Sequence, residues 1–227
     1  MKIYFDGCSW TWGAELKNPE EERFTKIVCD KLGADESNFS KCGGSNDRIV
    51  RNLLIEKKVE DYDLAVIQMT YPARTEYWNA DHWKSLGAKK ISGKENYDDY
   101  VKRKRGKWEK VSGKYHYNRW LYEQKGDLST LKDKFTNHKE FWKYYYVNVA
   151  NETYFVVKEK IQYETIKAYC KSKNVPLILC TINNWSKLDF DVRMDSKGLK
   201  KHPKSHPTKE GHQRIAASIL GQWQRIK

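Results

Sequence analysis

Close cysteine pairs are missing from this chain. Its five cysteines, at positions 8, 29, 42, 170 and 180, are an odd number without CxxC spacing, which speaks against a disulfide framework and against a zinc site. Free thiols in a reducing compartment are expected instead. Long apolar runs are missing too: no charged-then-apolar leader opens the chain, and no stretch approaches the roughly 18 apolar residues of a membrane span. A soluble, cytoplasmic protein without membrane contact is therefore expected. There is no GxGxxG and no phosphate-binding loop with its lysine. No group of His, Asp, Glu and Cys has metal-ligand spacing, so neither a metal nor another cofactor is expected. Acid is scarce relative to base: 43 Lys and Arg face 30 Asp and Glu, a net charge of +13. That balance suits an anionic partner such as nucleic acid, an acidic glycan or a phosphorylated metabolite, and does not choose among them.

What is present fits one α/β domain with an insertion, since 227 residues would cramp two full domains. The first stretch, Ile3 to Phe5, alternates as a β-strand and runs into Asp6-Gly7-Cys8-Ser9. This small-residue turn would present Ser9 at the carboxyl end of a first strand, where ligands and nucleophiles sit in open α/β sheets; a plain strand followed by a turn is the simpler reading. Cys8 is a second possible nucleophile, or a buried turn residue. Asn18-Pro19 and three glutamates open a helix running to Lys31 or Leu32, with Phe24, Ile27, Val28 and Leu32 on one face and Gly33 as its stop. Ser37 to Lys41 reads as a short second strand.

Next, Cys42-Gly43-Gly44-Ser45-Asn46-Asp47 is a glycine turn opening a helix from Arg48 to Ile55. Its glycines allow close backbone approach to a ligand, and Ser45 or Asn46 can cap the helix. Asp63 to Met69 and Pro176 to Ile182 are apolar runs of the kind that both faces of a parallel sheet bury. Val147 to Lys173 reads as one long helix with Ala150, Tyr154, Val157 and Ile161 on its apolar stripe. Thr208 to Trp223 closes the chain, with Ile215, Ile219, Leu220 and Trp223 inward. Strands alternating with helices call for a parallel three-layer domain. An early serine and a late histidine in His206-Pro207-Thr208-Lys209-Glu210-Gly211-His212, both at strand ends, can make a nucleophile and its base. His202 and His212 read as structural or solvent-facing, and Asp6 as a supporting acid or a turn former.

Four of these segments resemble the blocks of the SGNH hydrolases, also called the GDSL esterase/lipase family. Gly7-Cys8-Ser9 stands where the family has Gly-Asp-Ser, and Gly43-Gly44-Ser45-Asn46 matches the second block. Thr70-x-x-x-Arg74-x-Glu76 is similar to a variant third block of bacterial and phage-borne members, and His206-Pro207 with Gly211-His212 matches the histidine block. The resemblance implies a flavodoxin-like three-layer fold with a parallel sheet, and hydrolysis or transfer of an O-acyl group from a carbohydrate or other polar ester. In that chemistry Ser9 attacks the carbonyl and His206 takes its proton. Backbone N–H groups of Ser9 and of Gly43 or Gly44 would stabilise the oxyanion. The family's third-block asparagine has no counterpart here, leaving Asn46, Thr70 or Arg74 to substitute. Its aspartate three residues before the histidine is replaced by Pro203, leaving a carbonyl or a more distant acid such as Asp191 or Asp195 to orient the imidazole.

Residues 1–78 and 147–227 make up this framework, and 79–146 form the insertion. The insertion is rich in Trp and Tyr among lysines, with the run Lys102, Arg103, Lys104, Arg105. Rings interleaved with cations suit stacking on sugars or bases along an anionic backbone, so a lid or substrate platform is expected, with a solvated helical hairpin as the plainer form. The rival reading of the whole chain is an inactive hydrolase scaffold that binds nucleic acid or another polyanion through this insertion.

Overall fold

The computed structural model describes residues 1–79, 82–90, 117–120, 152–195, 198–202 and 206–227. Strand β1 (Lys2–Asp6) is followed by three helices, α1 (Ser9–Trp12), α2 (Pro19–Glu22) and α3 (Phe24–Leu32), then by β2 (Asp35–Asn38). Helix α4 (Asn46–Arg51) passes into a wider π-type turn over Asn52–Glu56 before β3 (Leu64–Met69). Strands β4 (Thr75–Asn79), β5 (His82–Lys90) and β6 (Tyr117–Trp120) come next. Helix α5 (Glu152–Ser172), β7 (Leu177–Thr181), the two-residue β8 (Val192–Arg193) and helix α6 (Lys209–Ile226) complete the order.

The central sheet is parallel throughout, in the order β2-β1-β3-β7-β8. Counted as five sheet strands, this is the flavodoxin-like order, with a switch point beside β1 and β3. Alternation along each inner strand feeds two cores. Ile3, Phe5, Leu64, Val66, Ile178 and Cys180 meet Phe24 and Val28 of α3 and Ile215 and Ile219 of α6 on one face. Tyr4, Ala65, Ile67, Met69 and Leu179 meet Ile49 of α4 and Tyr163, Ile166 and Cys170 of α5 on the other. This double burial is why β3 and β7 are nearly continuous apolar runs. Each fully buried Ile, Leu or Phe contributes roughly 1.5–3 kcal/mol.

Several elements differ from the sequence expectation, each for a physical reason. The edge strand β2 lies earlier than Ser37–Lys41, on the polar residues Asp35 to Asn38. Pairing with β1 alone among the described strands, it is held by main-chain bonds and by the two-pronged Arg23–Glu36 ion pair at 2.9 and 3.1 Å rather than by apolar alternation. The single helix expected up to Leu32 is broken at Arg23, whose ψ of 148° is extended. On α5, Tyr154, Val157 and Ile161 face outward, at 39, 51 and 60% exposure. The buried stripe is instead Phe155, Tyr163, Ile166 and Cys170, accompanied by Glu159 and Gln162. Both helix faces carry apolar residues at helical spacing, and the polar pair that goes inward finds partners there: Asn183 Nδ2 donates to Glu159 at 2.9 Å, and Gln162 Nε2 donates to Asp47 at 2.6 Å.

Among the described residues, the expected insertion contributes β5 and β6, which form with β4 an antiparallel β4-β5-β6 sheet rather than a helical hairpin. Its stem is tied to the α/β domain. Asp47 accepts from Thr75 Oγ1 (2.7 Å), from the Glu76 amide (3.1 Å) and from Lys158 Nζ (2.7 Å), while Glu76 pairs with Arg51. Lys102, Arg103, Lys104 and Arg105 lie outside the described residues, as does the expected start of the long helix at 147–151. No described helix is long and apolar enough to cross a membrane.

Candidate active site

The carboxyl end of β1 turns sharply because position 7 is glycine: a Cβ there would sit 2.2 Å from Thr11 Oγ1 and 2.8 Å from Gln68 Oε1. Gln68, on β3, reaches across to fasten this turn. Its Oε1 accepts from the Cys8 amide and the Thr11 hydroxyl, both at 3.0 Å, and its Nε2 donates to Met69 O at 2.8 Å. Below the turn, Asp6 is wholly buried. It accepts from Arg48 and Asn52 and, at 2.7 Å, from its neighbour's amide on Gly7. Arg48 also donates to Gly7 O at 2.8 Å and Phe39 O at 2.9 Å, so one guanidinium joins the exits of β1 and β2. Asp6 thus serves as a structural anchor rather than contacting the imidazole.

Ser9 occupies the first position of α1 and is 8% exposed, more enclosed than an open turn would leave it. After α1 the chain coils tightly. Gly13 is left-handed at φ 87°, Ala14 donates to Ser9 O at 2.9 Å, and Glu15 is left-handed as well, at φ 72°. For a residue with a side chain that conformation costs roughly 1–2 kcal/mol. It brings the Glu15 carboxylate back to where His206 stands.

His206 arrives from the far end of the chain, held by the described residues on either side of it. A bridge between Lys201 and Pro207, the His202 amide on His206 O (2.7 Å) and the Thr208 amide on Lys200 O (3.0 Å) hold it. Gly211 lets this loop lie against α6, because a Cβ there would be 2.5 Å from Lys200 O. The imidazole spans two partners: Nε2 is 2.9 Å from Ser9 Oγ, and Nδ1 is 2.9 Å from Glu15 Oε2. A carboxylate only accepts, so Nδ1 carries the hydrogen and the Nε2 lone pair faces the serine hydroxyl. That tautomer can take a proton from Ser9.

The structure therefore brings Ser9 and His206 together, and it adds Glu15, which sequence reasoning missed. Neither expected acid reaches the ring. Asp191 accepts from the Leu179 amide at 2.7 Å, stitching β8 to β7, and Asp195 pairs with Lys201. Among the glycines, Gly44 donates its amide to Lys41 O at 2.9 Å, closing a type II turn with Gly43 at φ 74°. Gly44 is thus committed to the turn, whereas the amides of Gly43 and Ser9 meet no acceptor among the described residues. The two turns touch: Lys41 N donates to Gly7 O at 3.3 Å.

Asn46 does not present its amide to the serine. Its Nδ2 donates to Thr70 O (3.1 Å) and its Oδ1 accepts from Thr70 N (2.7 Å), and both residues are fully buried. Arg74 stays partly exposed beside the site, donating to Gly44 O at 3.3 Å and lying 5.7 Å over the Tyr71 ring. Tyr71 in turn packs 6.1 Å from Trp185, which is 58% exposed. Burial pushes the Cys8 thiol up, but the Arg74 charge and the donors around the sulfur carry it below its ordinary range. Cys8 is nevertheless fully buried, with Sγ 3.9 Å from Ser9 Oγ, and it is Ser9 that faces the imidazole.

Fold and site together define a class: a three-layer, flavodoxin-like α/β protein with a hydrogen-bonded serine–histidine pair at the carboxyl edge of its sheet. No protein-family model matches the chain, and no curated sequence is similar to it. Among solved structures it is similar to a G-D-S-L family protein from Desulfitobacterium hafniense DCB-2 (12% identity, TM-score 0.41, covering 97% of this chain and 98% of that one). It is also similar to the psychrotrophic esterase EstA from Pseudoalteromonas sp. (13%, 0.42, 99% and 97%). A third is a family two carbohydrate esterase from Clostridium thermocellum (12%, 0.45, 99% and 63%). At such identities and scores these neighbours carry no weight for the chemistry, which rests on the residues of this chain.

Proposed function

We propose that the protein is an SGNH-type serine esterase or deacylase acting on an O-acylated polar substrate, with Ser9 as nucleophile and His206 as general base. The observation that carries this reading is the 2.9 Å bond from Ser9 Oγ to His206 Nε2; the amides of Ser9 and Gly43, which meet no acceptor among the described residues, are the oxyanion donors of this reading. A serine hydroxyl is a weak nucleophile until a base accepts its proton. As Ser9 Oγ bonds to the acyl carbon, His206 takes the proton and the carbonyl oxygen becomes an oxyanion facing the Ser9 and Gly43 N–H groups. One such donor contributes roughly 3–4 kcal/mol of barrier lowering in serine hydrolases. Collapse expels the alcohol, which takes the proton from His206 and leaves an acyl-Ser9 ester. Water then attacks with His206 again as base, and the acid departs; a bound alcohol in place of water gives acyl transfer by the same steps. Arg74, with the Tyr71 and Trp185 rings behind it, is suited to hold a polar or anionic group on the alcohol side.

A fluorophosphonate probe followed by peptide mass mapping tests this reading. Ser9 is the residue modified, and Ser9→Ala and His206→Ala abolish labelling while Cys8→Ala does not. Modification that persists in Ser9→Ala would overturn it. The rival, a scaffold without chemistry that binds a polyanion, is motivated by the net charge of +13. It predicts no labelling of the wild type.

A further inference from the structure

We propose that Glu15 is the acid that positions His206, supplied from the nucleophile's own turn rather than from the histidine's loop. This rests on the reading of Ser9 and His206 as nucleophile and base. Three observations converge on it. The Glu15 carboxylate lies 2.9 Å from His206 Nδ1, on the opposite side of the ring from Ser9 Oγ at 2.9 Å. The backbone of Glu15 is held at φ 72°, and the turn from Ser9 through Gly13 is tight enough for Ala14 to donate to Ser9 O. Without that coil, a residue so soon after the nucleophile would leave along the chain instead of returning to it. Strain of this kind is tolerated where a side chain's placement matters. Among the described residues, the other acids considered for this role are committed elsewhere: Asp6 to Arg48 and Asn52, Asp191 to the Leu179 amide, and Asp195 to Lys201.

Glu15 accepts the Nδ1–H, which keeps the Nε2 lone pair on Ser9, and it stabilises the imidazolium formed during attack. The carboxylate takes no proton itself. With Glu15 and His206 side chains 21% and 24% exposed, water partly substitutes when the carboxylate is removed. The loss is therefore smaller than the roughly ten-thousandfold seen where a buried triad aspartate is replaced.

The test measures p-nitrophenyl acetate turnover and the rate of fluorophosphonate labelling in wild type, Glu15→Gln, Glu15→Asp, Glu15→Gly, His206→Ala and His206→Ala/Glu15→Gln. Expected is a fall of about a hundredfold or more in kcat and in labelling rate for Glu15→Gln with KM little changed, and an intermediate value for Glu15→Asp. Glu15→Gln adds almost nothing once His206 is alanine, because Glu15 acts through that ring. Glu15→Gly removes the left-handed strain, so its Tm does not fall even though its activity does. Wild-type rates for Glu15→Gln beside a severe His206→Ala would overturn the role of Glu15 and leave the serine–histidine reading standing. An equal penalty for Glu15→Gln with and without His206 would also overturn it, by showing an effect on the fold. Wild-type labelling in His206→Ala would sink the underlying reading and the proposal together.

Discussion

His212 and Phe24 are joined twice: the imidazole Nδ1 accepts the Phe24 amide at 3.1 Å, and the two rings stack with centroids 5.8 Å apart at 17°. The amide belongs to the first residue of α3, so a histidine from α6 caps a helix near the other end of the chain. Burial, aided by the nearby His206 and His202 and opposed by Glu22, pulls the His212 pKa down from 6.5 to about 4.

A pH dependence of stability follows. Between about pH 6.5 and 4 the unfolded chain holds a proton on this residue that the folded protein refuses, so folding weakens as pH falls through that window. The contribution is fully present above pH 6.5, and its loss amounts to about 3 kcal/mol by pH 4, from the shift and roughly 1.4 kcal/mol per unit. His212→Gln keeps a neutral acceptor for the Phe24 amide and should flatten the slope. Urea unfolding of both proteins from pH 7.5 to 4 measures the difference; parallel curves would assign the slope to other groups.

Gln68 is the fastening of the Ser9 turn. Gln68→Leu leaves the buried Cys8 amide and Thr11 hydroxyl without their acceptor, a loss of about 1–3 kcal/mol for each group so orphaned. The turn that carries Ser9 loosens with it, so under the proposed function turnover falls more than stability alone explains. Chemical denaturation and p-nitrophenyl acetate kinetics, run well below the variant's Tm, separate the two effects. A destabilised variant with wild-type kcat would show that Ser9 is held by other contacts.

Alanine is a better helix former than glycine by about 1 kcal/mol, yet Gly211→Ala should destabilise. The added methyl would lie 2.5 Å from Lys200 O and 2.9 Å from Pro207 Cβ, and overpacking of this kind costs roughly 1–3 kcal/mol. Relief requires the His206 loop to move off α6, so Ser9 labelling should slow as well. An increase in Tm with unchanged labelling would mean that the loop yields freely.

The basic run bears on substrate size. Reversing Lys102, Arg103, Lys104 and Arg105 to glutamate should raise KM for a polyanionic ester and weaken retention on heparin, and added salt should mimic both through screening. Turnover of the small neutral ester should change little. Equal losses on small and large substrates would mean that the run supports the site structurally.

Much of the framework was legible because its signals are local. Apolar runs at β3 and β7, the glycine turns after β1 and β2, and a capped last helix each follow from neighbouring residues, and parallel pairing of such strands leaves few arrangements. A serine and a histidine at strand ends could be named for the same reason. What tertiary structure alone decided are pairings across long sequence separations. Glu15 and His206 are 191 positions apart, and they meet only because two left-handed residues coil the chain after α1, a conformation that no side-chain pattern announces at a glutamate. The outward face of α5 was settled by which stripe found α4 and β7, since periodicity marked both. Likewise, Asn46 was given to the Thr70 peptide, and His212 to the Phe24 amide, by contacts whose partners lie far away in the chain. Periodicity fixes which residues share a face; which partner that face meets is decided only when the layers pack.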